Sequence, residues 1–396
     1  MSDLLQGSVV IDTTRQYRRV GQGKMATGID KVDLAYIRHY RHQAKALLRL
    51  KNRWYILTAD DSAVVFSQIL KDQPLSKLHL LQCCLRATAN LLSQQAVLIN
   101  TSHSGLEQPD YAQKVKKRFK KAAFFLHDII PMEYPEYCKE GEQFKHQQRV
   151  KTILQSGDLI IANSQDTLDK LNLHTQNLQG FDHIATIVAM LGMPSKTQFE
   201  ANHAKLASKP VPNSGSVPYF VILGTIEPRK NHLLLLQVWR RLAETLQEKC
   251  PKLYIIGKRG WDIEQVIDIL ERAPFAKQTI VELSDACDQQ VADLLKHASA
   301  LLFPSFVEGF GLPLVQALQL STPVIASDLA VFKEIADHIP DYVDPVDVMT
   351  WIDIITNYTL RPNELRVAQL SRLAEFQPFS WEQHFNVVTP QINTLF

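Results

Sequence analysis

The segment ALLFPSFVEGFGLPLVQAL, residues 300–318, decides the fold. It opens with an apolar run too short for a helix, breaks at Pro304, turns through Gly309 and Gly311, and takes helical spacing from Leu312. An unbroken apolar run reads as a strand buried on both faces, because a half-buried strand would alternate. Pro313 is tolerated in the first helical turn, where its missing N–H would have no partner in any case. The segment is a strand followed by a helix, with its polar residues at the strand's carboxyl end.

The same punctuation recurs in both directions. YFVILG from Tyr219, KLYIIG from Lys252, TIVEL from Thr279 and PVIAS from Pro323 read as strands of the second half. The first half offers SVVID from Ser8, WYILT from Trp54, AVLIN from Ala96, AAFFLHD from Ala122, DLIIANS from Asp158 and HIATIVA from His183. Strands alternating with helices imply βαβ units and a doubly wound parallel sheet. Between the two series the stretch ending in KPVPNSGSVP lacks periodicity and is rich in Pro, Ser, Asn and Lys. The chain therefore reads as α/β with two Rossmann-like doubly wound domains: an N-terminal domain over 1–195, a linker over 196–216 and a C-terminal domain over 217–378. FSWEQHFNVVTPQINTLF, residues 379–396, has helical spacing and is expected as a final helix that can pack back on the N-terminal domain.

Composition narrows the class. The 396 residues suit two ordinary cores, and 45% hydrophobic with 21% charged residues is a soluble globular balance. A net charge of +2 demands no nucleic acid. The five cysteines are odd in number and form no C-x-x-C pair, which argues against a disulfide framework or a zinc site and fits a reducing cytosol. The N-terminal apolar run is short and reads as a strand rather than a signal peptide, and nowhere do about eighteen apolar residues run together. A cytoplasmic protein is expected.

In open α/β sheets ligands lie beyond the carboxyl ends of the strands, so the residues there carry the chemistry. In GTIEPRKNH, Gly224 lets the chain leave its strand tightly, and Arg229 and Lys230 place a planar fork and a point charge where a diphosphate would fit. An Arg-Lys pair at a helix start is as often a solvated surface feature. In FPSFVEGFGLPLVQAL, Gly309, Phe310 and Gly311 let backbone N–H groups approach an anion at the helix N-terminus. Glu308 can accept hydrogen bonds from sugar hydroxyls, and an acid beside a glycine turn is the competing reading. His127 and Asp128 end a buried strand before a Pro-punctuated loop. A lone histidine is more often structural.

Together GTIEPRKN, PSFVEGFGLP, FLHDIIP and DLIIANSQDT resemble the retaining glycosyltransferase family 4, whose GT-B type fold sets two Rossmann-like domains facing a cleft. ATGIDKV and GKRGW extend the resemblance to bacterial surface-polysaccharide enzymes, many of them mannosyltransferases. The resemblance implies that Arg229 and Lys230 bind the donor diphosphate and stabilise charge as the nucleotide leaves. It implies that Glu308 contacts the donor sugar, with Gly224, Gly309, Phe310, Gly311 and Leu312 around the donor. By the same resemblance His127 hydrogen-bonds the donor sugar from across the cleft, and Gly28 and Ile29 form an acceptor-side loop. The implied reaction moves a hexosyl unit, with retention, from a nucleotide sugar to a saccharide or lipid-linked saccharide. GDP-mannose is the favoured donor, with UDP- and dTDP-sugars as alternatives. No cofactor and no metal are implied, since the two cations replace the divalent ion that a D-x-D motif would hold.

One position departs from the family. Its motif has two glutamates separated by seven residues, and here the second is Gln316. In the family that second acid holds the nucleotide ribose, and a neutral amide accepts a weaker hydrogen bond than a carboxylate. Gln316 keeps a second reading open, a non-catalytic sugar-nucleotide-binding or scaffold subunit of a polysaccharide-assembly complex. A sugar phosphorylase lacks its pyridoxal-lysine context. Lastly, KVKKRFKK at 114–121 holds six cations in eight residues. Such a patch attracts an anionic membrane surface with roughly 1 kcal/mol per residue, which suits a lipid-linked acceptor and a peripheral place on the inner face of the cell membrane. It reads equally as a solvated helix face. Nucleic acid is disfavoured, because only Phe119 interleaves the cations.

Overall fold

The computed structural model describes residues 5–22, 27–51, 53–88, 95–177, 180–181, 183–194, 217–360 and 362–396. The linker expected at 196–216 lies outside the described residues. The chain forms two compact units that exchange segments. The first comprises Met1–Met132, Gly141–Gly192 and Phe379–Phe396; the second comprises Glu133–Glu140 and Met193–Pro378.

In the first unit the strands are β1 (Val9–Asp12), β2 (Ala44–Leu50), β3 (Arg53–Ile56), β4 (Val97–Asn100), β5 (Lys121–Leu126), β6 (Leu159–Ala162) and β7 (Ala185–Val188). They lie in the order β3-β2-β1-β4-β5-β6-β7, parallel except for the β2–β3 hairpin. The second unit has β8 (Tyr219–Leu223), β9 (Lys252–Ile256), β10 (Ile280–Leu283), β11 (Ala300–Phe303), β12 (Val324–Ser327) and β13 (Asp341–Val343). Their order is β10-β9-β8-β11-β12-β13, parallel throughout. Each order reverses beside the unit's first strand, between β1 and β4 and between β8 and β11. That is where a doubly wound sheet opens a crevice for ligand.

Most strands coincide with the apolar runs, but β2 and β13 were not expected. The β2 sequence, AKALLRL, is built from helix formers and carries Lys45 and Arg49. Arg49 is 3% exposed, and its guanidinium donates to Asp12 Oδ2 at 2.6 Å and to the Ser104 carbonyl while lying over the Tyr111 ring. Tertiary pairing with β1 overrides local propensity here. The final helix, Trp381–Asn393, starts at a capping box between Ser380 and Gln383 and belongs to the first unit. Its Phe385 stacks on His39 at 3.7 Å and meets the Tyr36 ring at 5.1 Å, while His384 bonds the Tyr36 hydroxyl. No helix among the described residues is long and apolar enough to cross a membrane.

Candidate active site

The carboxyl ends of β8 and β11 bring the two charged motifs of the second unit together. Gly224 leaves β8 at φ +141, and a Cβ there would meet the Lys230 side chain at 3.4 Å. Pro228–Lys230 form one tight turn, which ends at Asn231 in the left-handed region, φ 55, and leads into the helix His232–Leu246. Asn231 Nδ2 donates to the Pro345 carbonyl at 2.8 Å, which pins that conformation. After β11 the chain turns through Gly311, φ +110, where a Cβ would lie 2.8 Å from the Phe332 ring, and enters the helix Leu312–Gln319.

Glu308 joins the two segments. Its carboxylate meets Arg229 Nη1 at 2.7 Å and Lys230 Nζ at 2.5 Å, and Ser305 Oγ donates to it at 2.8 Å. Burial opposes its charge, but the Arg229 and Lys230 cations more than offset this and hold the carboxyl at about 2. Arg229 is also gripped by Glu227 at 2.5 Å, and its backbone carbonyl accepts from Phe306 N at 2.8 Å. Lys230 is buried and lies 4.7 Å from the centre of the Phe303 ring. Two cations and two carboxylates thus form one closed cluster.

Sequence reasoning singled out Arg229, Lys230 and Glu308 but missed Glu227 and Ser305, although both stand inside the quoted motifs. It also missed Tyr137, which belongs to the second unit, stacks on Phe306 at 5.3 Å and accepts from Trp261 Nε1 at 3.3 Å through its carbonyl. No spacing signal links residues so far apart. Phe310 is buried, Leu312 opens the helix, and half-buried Gln316 lies one turn further on with no side-chain hydrogen bond among the described residues.

In the first unit His127 follows β5 and is 6% exposed. Its Nε2–H donates to the Thr101 carbonyl at 2.7 Å, and burial lowers its pKa to about 4, so the ring is neutral near pH 7. His127 and Ile29 line a cavity of about 370 Å³. Gly28 and Ile29 were expected in a loop; instead they form the first turn of the helix Gly28–Tyr40. The reason is a capping box: Thr27 N and Oγ1 both donate to Asp30 Oδ2, at 2.7 and 2.6 Å. The basic stretch forms the end of the helix Tyr111–Arg118 and the start of β5. Lys114 and Lys121 pair with Asp110 and Asp158, each at 2.6 Å, while Lys116 and Lys117 are exposed and make no ion pair among the described residues.

Asp61, His79 and Cys83 bring their ligand atoms within 4.8 Å of one another, a grouping with no C-x-x-C spacing to mark it in the sequence. Arg86 grips both Asp61 oxygens, at 2.9 and 2.5 Å, and competes for that ligand.

These two units have the GT-B fold. The solved structure of Anabaena Alr3699/HepE in complex with UDP and glucose superposes with a TM-score of 0.65 over 98% of this chain and 100% of that one, at 15% identity. An alpha,alpha-trehalose-phosphate synthase (UDP-forming) from Burkholderia xenovorans gives 0.59 over 98% and 99%, at 12% identity. Residues 205–356, which carry the Arg229–Lys230–Glu308 cluster, match the family Glycosyl transferases group 1. The chain is similar to the serotype-specific mannosyltransferase WbdA of Escherichia coli, 31% identical over 264 residues, which is 62% of this chain and 31% of that protein. It is also similar to the E. coli O-antigen chain mannosyltransferase B, 32% identical over 179 residues, 44% of this chain and 45% of that protein. The chain spans about a third of the length of WbdA. The resemblance drawn from the motifs holds.

Proposed function

We propose that the chain is a retaining glycosyltransferase that moves a hexosyl unit, mannosyl by preference, from a nucleotide sugar to a saccharide or lipid-linked saccharide in surface-polysaccharide synthesis. The observation that carries this reading is the Arg229–Lys230–Glu308 cluster at the strand ends. The family match and the mannosyltransferase relatives support it. An incoming diphosphate competes with Glu227 and Glu308 for the two cations, which frees Glu308 oxygens to accept from sugar hydroxyls. Arg229 and Lys230 then stabilise the charge that develops as the nucleotide departs, with no divalent metal. Exposed Lys116 and Lys117 would hold the protein against an anionic membrane surface.

The test incubates purified protein with GDP-mannose, UDP- and dTDP-sugars and a mannoside acceptor, with and without EDTA, and reads the product's anomeric configuration by NMR. Transfer with retention that survives EDTA is expected. A strict need for magnesium or manganese would refute the diphosphate assignment. The scaffold reading rests on Gln316; it gains if wild type transfers nothing from any donor and activity appears only in Gln316→Glu.

A further inference from the structure

The cavity that holds His127 contains two more buried histidines that the proposed donor chemistry does not use. His103, His127 and His146 are 7%, 6% and 3% exposed, and all three line it. Ring centres lie 5.1 Å apart for His103 and His127, and 5.8 Å for His103 and His146. Each ring is fixed in the same way. Nε2 of His103 lies 2.7 Å from the Phe125 carbonyl, Nε2 of His127 2.7 Å from the Thr101 carbonyl, and Nε2 of His146 3.0 Å from the Asp128 carbonyl. A carbonyl can only accept, so every Nε2 must carry the hydrogen. Burial disfavours a second proton on all three rings.

The consequence is a set of three Nδ1 lone pairs. No Nδ1 of the three has a protein partner among the described residues, and none is sealed from solvent as the ring nitrogens of His232 are. Each is therefore an acceptor open to the cavity. Among the described residues the three do not bring their ligand atoms as close together as Asp61, His79 and Cys83 do. Spaced acceptors call for a ligand that brings several donors of its own, and hydroxyls supply them.

The charges around the cavity point the same way. Its two guanidiniums are already committed: Arg15 to Asp30 at 2.8 Å, and Arg149 to Glu142 at 2.5 Å and Glu107 at 3.5 Å. Asp128 adds a further carboxyl to the lining. A phosphate would meet more carboxylates than free cations. The volume, about 370 Å³, lies within the range of small-molecule pockets, about 300–1,000 Å³.

We propose that His103 and His146, beside the His127 expected to meet the donor sugar, form a subsite for the uncharged, hydroxyl-rich end of the acceptor saccharide. The proposal rests on the glycosyltransferase reading for the word acceptor; the chemistry of the subsite stands on the histidines. It adds two specificity-determining residues and excludes a phosphorylated sugar from this position.

The test is a long-range 1H–15N NMR titration of the wild-type imidazoles with methyl α-mannoside and, separately, with mannose 6-phosphate. Methyl α-mannoside is expected to shift the Nδ1 resonances of His103 and His146 while the Nε2 signals stay. His103→Phe and His146→Phe should each weaken mannoside binding roughly two- to ten-fold, the effect of one lost hydrogen bond. Tighter binding of mannose 6-phosphate than of the mannoside would overturn the assignment. So would unmoved Nδ1 signals in a protein whose melting temperature rises with GDP-mannose, and that result would leave the transferase reading intact. If neither sugar nor any nucleotide sugar binds, both readings fall together.

Discussion

Arg229, Lys230 and Glu308 are legible because each follows a strand directly, where chain direction alone makes a side chain available to ligand. Their mutual pairing is not legible, since Lys230 and Glu308 are 78 residues apart and only the β8–β11 register brings them to 2.5 Å. The pairing separates two mutants that a motif would treat alike. Arg229→Ala and Lys230→Ala should each cut turnover by orders of magnitude, measured as kcat/KM. Lys230 is buried, however, so its loss should also remove about 1.5–3 kcal/mol of stability as a charged hydrogen bond disappears, whereas the more exposed Arg229 should change the urea midpoint less. Equal destabilisation by both would contradict the geometry. Half-buried Gln316 has no side-chain hydrogen bond to lose among the described residues, so Gln316→Ala should leave stability level. Its donor KM should rise about two- to ten-fold with a smaller change in kcat, the pattern of a contact made equally in ground and transition states.

Element by element, the strands that announced themselves were those with uninterrupted β-branched or aromatic runs, such as VVID at β1 and YFVIL at β8. β2 stayed hidden because its information lies in a partner strand: Arg49 can be buried only because Asp12 of β1 meets it. Gly105 closes the same arrangement, since a Cβ there would lie 1.8 Å from Arg49 Nη1. Arg49→Met would take the cation from the buried Asp12 carboxylate and leave it to neutral donors such as the Thr14 amide and the Tyr111 hydroxyl, and breaking a buried ion pair in this way costs about 3–5 kcal/mol. Calorimetry should show the first unit's transition falling sharply while the second unit's holds. Asp12→Asn combined with Arg49→Met should recover part of the loss, because no lone charge then remains. A single mutant as stable as wild type would mean the pair is idle. Gly28 and Ile29 were misplaced for a related reason. The glycine suggested a turn, but Thr27 and Asp30 form a capping pair that starts a helix.

At the scale of the whole molecule, buried neutral histidines couple folding to acidity. Burial lowers the pKa of His103, His127, His146 and His384 in the first unit and of His232 in the second. His127 and His384 fall to about 4 and His232 to about 3. Below about 6.5 the unfolded rings take up protons that the folded rings refuse. The stability is therefore fully present above about 6.5 and is lost as pH falls toward 4. Asp33 acts in the opposite sense, because burial raises it to about 7 and the folded state binds its proton first; it is one group against four in its unit. The first unit's melting temperature should accordingly drop between pH 7 and pH 5, and more steeply than the second's. A flat profile across that range would show that the rings are charged in the folded protein.

The helix Trp381–Asn393 completes the first unit, yet the ribosome makes it after the entire second unit. Until those residues emerge, Tyr36 and His39 lack the Phe385 ring they pack against, so the nascent first unit must wait with an apolar face uncovered. The usual order, in which the N-terminal domain is completed first during synthesis, is closed to this chain, because the first unit's last helix is made last. A stop codon anywhere before residue 379 would release a protein with its first unit unfinished, whatever the state of its second.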